Sequence, residues 1–169
     1  MIMKFIKTIP VITLMAVLTA FSASQSMAQI LQDVEFTMMV EPELEIAMYD
    51  ALEEEIAPMK EQIGSSPWLS FAFVDLNYDG KDEILVNVQD EYILVDDYGN
   101  TYVHGFAQTS RGLIKIFESP AQYIRLEPSF DGKLQKIHVY KRPNIREATV
   151  FVWDGQRQYV EQEELEGNE

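Results

Sequence analysis

Apolar residues recur at three- and four-residue steps through Leu44, Ala47, Met48, Ala51, Leu52, Ile56, Met59 and Ile63. That is the stripe of an amphipathic helix. Pro42 suits its first turn, and the early glutamates complement the helix dipole. Pro58 is expected to kink it near Ala57, and "GSSP" after it breaks the chain. Glu53, Glu54 and Glu55 fall on the wet side of this helix. From Trp68 the period changes to two. Strands are expected in "WLSFAFVD", "EILVNVQ", "YILVDD", "NTYVHGFAQ", "LIKIFES", "QYIRLEP", "KLQKIHVYK", "EATVFVWD" and "RQYVEQEE". Asx-Gly turn signals punctuate them in "DDYGN", "FDGK" and "WDGQ". The pattern predicts an α+β fold, with an N-terminal kinked amphipathic helix packed on an antiparallel β-meander sheet.

The first residues follow another pattern. "MIMKFIKT" is basic, "IPVITLMAVLTAF" is an apolar run, and "SASQSMA" ends in small residues. This is the layout of a signal peptide over residues 1–28, cleaved after Ala28, with no membrane insertion afterwards and a periplasmic or secreted destination. The organisation then reads as an N-terminal segment and helix at 29–65, an antiparallel sheet at 66–162 and an acidic tail at 163–169. With no cysteine in 169 residues, disulfide stapling and an N-terminal lipidated cysteine are excluded.

Charge narrows the partners. The chain has 28 acidic against 13 basic side chains, and removing Lys4 and Lys7 with the signal leaves a net charge of −17. Such a surface repels nucleic acid and anionic lipid and favours cations and basic partners. Residues 29–100 carry 18 acids against Lys60 and Lys81 alone, whereas residues 101–169 carry 10 acids and 9 bases.

The densest chemistry lies in "FVDLNYDGKDEILV" at 73–86. Counting from Asp75, side-chain oxygens fall at positions one, three, five and nine, on Asp75, Asn77, Asp79 and Glu83, with Gly80 at the sixth. Hard cations such as calcium collect oxygens in this way, and the Lys81 carbonyl is a natural further ligand. The loop is no EF-hand: the twelfth residue is Val86 where a bidentate Glu is required, and a strand follows. The bland alternative is a polar turn whose Asn and Asp side chains bond their own backbone. The segment resembles the strand–loop–strand calcium motif of FG-GAP and VCBS-type repeats. That resemblance implies Ca2+ held at a β-hairpin by Asp75, Asn77, Asp79, Lys81 and Glu83, in a structural role. It covers one copy only, too little for a multi-blade propeller.

No nucleophile elbow, His-Glu-x-x-His helix, phosphate loop or dinucleotide fingerprint occurs, and His104 and His138 are the only histidines. Within the later strands, alternation sets Lys136, His138 and Tyr140 opposite Ile137 and Val139, and Phe151 and Trp153 opposite Val150 and Val152. Paired strands would then offer an aromatic and cationic binding surface of Tyr123, Arg125, His138, Tyr140, Phe151 and Trp153. The alternative is that the helix covers these aromatics as a second core layer. Together these features predict a small exported non-catalytic binding protein. Its partner would be a protein or glycan, for instance a basic envelope or extracellular enzyme for which it acts as inhibitor or accessory factor. The rival readings are a small envelope hydrolase using carboxylates and a calcium-clipped subunit of a surface assembly.

Overall fold

The computed structural model describes residues 30–89, 99–129, 134–141 and 147–162. The signal segment with its cleavage site, the "YILVDD" strand, the "FDGK" turn and the acidic tail lie outside the described residues. In chain order the elements are β1 (Gln32–Asp33), α1 (Pro42–Ala51), α2 (Glu53–Ile63), β2 (Trp68–Val74) and β3 (Glu83–Gln89). β4 (Thr101–Thr109), β5 (Gly112–Ala121), β6 (Tyr123–Glu127), β7 (Lys136–Tyr140), β8 (Thr149–Trp153) and β9 (Tyr159–Glu161) complete the set.

The expected helix-on-sheet α+β fold is corrected by this arrangement. The described chain is mostly β, with two antiparallel sheets and two short helices. β2-β3-β4-β5 form one sheet, and β1-β6-β7-β8-β9 form the other. Ala72, Leu85, Val103 and Phe117 of the first face Ile124, Leu126, Ile137, Val139 and Phe151 of the second across a common core. The helices cover the opposite face of the four-stranded sheet, where Met48, Leu52 and Ile56 pack on Phe71, Ile84, Val86 and Phe106. β3 therefore lies buried on both faces, which accounts for the unbroken apolar run Ile84, Leu85 and Val86 within "EILV". Alternation within a strand shows which residues share a face, but not how many sheets the strands build.

The meander folds over at one point. β5 ends at Ala121 and β6 begins at Tyr123, leaving only Gln122 between them, and its N–H donates to the Tyr140 carbonyl at 2.9 Å. On one side of this corner the chain pairs with β4, on the other with β7. The leading segment links both sheets. β1 pairs with β6, and Thr37 then exchanges two backbone hydrogen bonds with Phe71 at 2.7 and 2.8 Å.

The kink also moves. Pro58 sits inside α2, and the helix is broken at Leu52 (φ −107°, ψ 14°). Met48, Leu52 and Ile56, four residues apart, are all fully buried, so the break lies in the buried stripe itself. Among the described residues no helix is long and apolar enough to cross a membrane. The "WDGQ" turn is built on Asp154, whose Oδ1 accepts N–H groups of Gln156, Arg157 and Gln158, with Gly155 at φ 82°.

Candidate functional site

Three groups of chemistry-bearing side chains stand out. The first is the acidic loop, which joins β2 to β3. Asp79 N–H donates to Asp75 Oδ1 at 3.1 Å and to Asn77 Oδ1 at 2.8 Å. Gly80 N–H donates to Asp75 Oδ2, and Lys81 N–H to Asp79 Oδ1. Glu83 reaches back to receive Leu76 N–H at 2.8 Å and the Asn77 amide at 3.1 Å. Tyr78 and Gly80 both take positive φ (59° and 81°) to close the reversal. The loop carboxylates thus hold their own backbone, as a polar turn does, while each such oxygen keeps a second lone pair.

This loop is fastened to the other sheet. Gln135 donates its backbone N–H to the Leu76 carbonyl and its side-chain amide to the Asp75 carbonyl, at 2.8 and 2.9 Å. Tyr159 donates its hydroxyl to the Gln135 carbonyl, and Ser129 N–H donates to the Tyr78 hydroxyl. Glu83 is buried beside two other acids. Burial first, then the charges of Asp79 and Asp75, push its carboxyl above the usual range against the pull of Leu76 N–H. The same environment, mainly burial with Glu83 nearby, pushes the Tyr159 hydroxyl up.

The second group is the outer face of the five-stranded sheet. The register pairs Tyr123 with Tyr140 and Arg125 with His138. The two tyrosine rings stack nearly parallel with centroids 4.3 Å apart, and the Arg125 guanidinium lies 5.7 Å from each. Arg125 Nε donates to Asp33 Oδ1 at 2.6 Å, and His138 Nε2 meets Glu127 Oε2 at 2.7 Å. Phe151 and Trp153 are not on this face. β8 pairs Ile137 with Phe151, so Phe151 joins the inter-sheet core with Trp153 packed against it, while Val150 and Val152 turn outward. The helices cover the other sheet, so they do not overlie the tyrosine pair. Tyr140 is buried even so, whereas Tyr123 and Arg125 are half-exposed.

The third group has no counterpart in the sequence reading. Glu55 of α2, His104 of β4 and Glu118 of β5 each bring a potential ligand atom within 4.8 Å of the other two. Among the described residues they are the one such group of three histidine or acidic side chains, and the loop carboxylates do not form another. His104 is 2% exposed, and its Nδ1 has no hydrogen-bond partner. It lies 3.5 Å from Glu118 Oε2, too long for a good hydrogen bond. Lys115 Nζ bridges Glu55 Oε1 at 2.6 Å and Glu118 Oε2 at 2.8 Å. Burial holds the His104 imidazole below its ordinary range, overcoming the attraction of Glu118 and assisted by the charge of Lys115. Lys115 is itself held above the usual range: burial opposes this, but its bonds to Glu118 and Glu55 prevail.

His104 and Glu118 are direct partners across β4 and β5, and a bulge brings Lys115 beside them. Strand residues three apart ordinarily point to opposite faces. Gly105 pairs with Phe117 but Phe106 pairs with Lys115, so Ile116 is an extra residue in β5. The phase change puts Lys115 and Glu118 on the same face, under α2. Glu55, assigned to the wet side of the helix, is half-buried there. Cross-strand register, a bulge and a helix docking angle leave no mark in hydrophobic periodicity, so the sequence offered no signal for this group.

No family model matches this chain, nor does any curated protein or solved structure.

Proposed function

We propose that this is an exported, non-catalytic binding protein that presents the outer face of its five-stranded sheet to a protein or glycan, with a structural calcium ion clipping the 75–83 loop. The observation that carries the reading is the stacked Tyr123–Tyr140 pair with Arg125 over both rings. Asp33 and the neighbouring strand hold Arg125 in place, so little side-chain freedom is lost when a partner docks. Aromatic residues and arginine are the usual anchors of interfaces. The acidic body of the chain adds long-range attraction toward a basic partner. Tyr123→Ala and Arg125→Ala are each expected to weaken partner binding about tenfold or more, read by glycan array and by low-salt pull-down from envelope extract. Failure of the unaltered chain to bind in either assay, or binding indifferent to both substitutions, would overturn the reading.

For the calcium clip the support is chemical. The loop offers oxygen donors only, which suits a hard cation. Glu83 is buried beside Asp75 and Asp79, and the Leu76 N–H relieves their like charge only in part. Gln135, bonded to the loop through its amide, leaves a buried Oε1 without a partner. Binding asks the loop carboxylates to close further by side-chain rotation. Calcium at ten times its dissociation constant is expected to stabilise the fold by about 1.4 kcal/mol, or roughly 5 °C in Tm, relative to EDTA. Asp79→Ala is expected to abolish this shift.

The pH dependence has a definite sign. The folded-state pKa of Glu83 is raised, so its destabilising charge is present above that pKa and vanishes as pH falls through it. Protons and calcium then compete for the same carboxylate. The calcium-induced rise in Tm, measured by scanning calorimetry, is therefore expected to shrink as pH falls from neutral toward the raised Glu83 range. A rise that stays constant down to the acid edge of the folded range would count against Glu83 as a ligand.

A further inference from the structure

We propose that Glu55, His104 and Glu118 form a second cation site, distinct from the acidic loop, that takes a divalent transition-metal ion such as Zn2+. The donor set differs in kind from the loop's: one imidazole nitrogen and two carboxylates, the mixture that zinc and its first-row neighbours accept and that calcium does not prefer. Two carboxylates balance the charge of a divalent ion, and the imidazole completes three protein ligands. Glu118 is an exposed residue, so a fourth position opens to solvent.

The distances fit. Ligands about 2.0–2.2 Å from a tetrahedral zinc stand about 3.3–3.6 Å from one another, and His104 Nδ1 lies 3.5 Å from Glu118 Oε2. The same separation is poor for the alternative of a His–carboxylate hydrogen bond. Independent support comes from the imidazole itself. His104 Nδ1 is buried and unpartnered in a side chain 2% exposed, and an orphaned buried polar atom costs free energy. The Glu118 oxygen 3.5 Å away is too distant to satisfy it well. A metal ion at this point satisfies it.

Lys115 marks where the cation belongs. Its ammonium bridges the two carboxylates at 2.6 and 2.8 Å, so the position already draws positive charge. The ammonium satisfies both acids and leaves the imidazole only the long Glu118 contact, whereas a metal ion engages all three. The Lys115 side chain is 41% exposed and can swing into solvent when displaced. It is a built-in competitor, and its removal empties the site for metal.

The test is calorimetric titration of the chain with Zn2+, purified without a polyhistidine tag and stripped with chelator, with Co2+ absorption as a spectroscopic check. Saturable one-to-one uptake is expected. Glu118→Gln and His104→Leu should each weaken it roughly 100-fold or more and abolish the Co2+ band. Lys115→Met should tighten it several-fold. Asp79→Ala should leave Zn2+ affinity unchanged, and Glu118→Gln should leave the calcium-induced Tm shift unchanged, which separates the two sites. Circular dichroism of each variant checks folding, and Glu118→Gln, at an exposed position, keeps the test valid if His104→Leu fails to fold. Absence of saturable uptake by the unaltered chain, or uptake indifferent to Glu118→Gln, overturns the proposal.

Discussion

Phe117→Ala is expected to lower the unfolding free energy by about 3–5 kcal/mol, a fall of roughly 10–20 °C in Tm. Phe117 is 2% exposed and lies between the two sheets. Its ring meets Phe151 edge-on at 5.2 Å and Tyr159 edge-on at 6.4 Å, so the substitution removes aromatic contacts as well as buried area. The cavity cannot easily collapse, because the residue directly opposite in β4 is Gly105, which has no side chain to move in. Domains of this size are stable by only about 5–15 kcal/mol, so the loss is a large share of the total. The check is denaturant unfolding, with Ile114→Ala as control. That residue is 48% exposed and should change stability by no more than about 0.5 kcal/mol. A loss near 1 kcal/mol for Phe117→Ala would show that the sheet-to-sheet core contributes far less than its burial implies.

This core is also what the sequence concealed. The period-two segments place β2 through β9 closely, and the Asp75–Glu83 stretch reads plainly as a hairpin loop between two of them. Periodicity is local, however, and pairing is not. Nothing in "ESPAQYIR" announces that β5 and β6 belong to different sheets; Pro120 and Gln122 are the only irregular marks at that corner. The unbroken run in β3 was the available signal for a third layer, since a strand covered on one side alternates and "EILV" does not. Phe151 shows the same limit. Its opposition to Val150 and Val152 is legible within β8, but only its register with Ile137 decides that the aromatic faces inward. The Tyr123–Tyr140 stack depends on register too: two strands meet with tyrosine opposite tyrosine, a coincidence of alignment that neither segment carries alone. His104 meets Glu118 through the β4–β5 register, Lys115 joins their face through the extra residue in β5, and Glu55 arrives only through the docking of α2.

That extra residue leads to the second large effect. Gly105→Ala is expected to destabilise the fold by about 1–3 kcal/mol, although alanine ordinarily strengthens a strand relative to glycine. The cause is space and not backbone conformation. A Cβ at Gly105 would meet Phe117 Cβ at 2.9 Å and Leu85 Cδ2 at 3.1 Å, where opposed strand residues normally keep their Cβ atoms about 4.5–5.5 Å apart. The leucine methyl can rotate away, but the Phe117 Cβ is fixed to its backbone, so β4 and β5 must part. The penalty should therefore persist in a Phe117→Ala background, which retains that Cβ, and a double-mutant cycle should return little coupling between the two positions. Relief in that background would instead place the conflict with the aromatic ring. The bulge beside Gly105 also sets Lys115 and Glu118 on one face. Forcing the strands apart moves Glu118 relative to its β4 partner His104, so Gly105→Ala should weaken Zn2+ uptake although no proposed ligand is removed. An unchanged affinity in the destabilised variant would mean that the cluster does not depend on the spacing of β4 and β5.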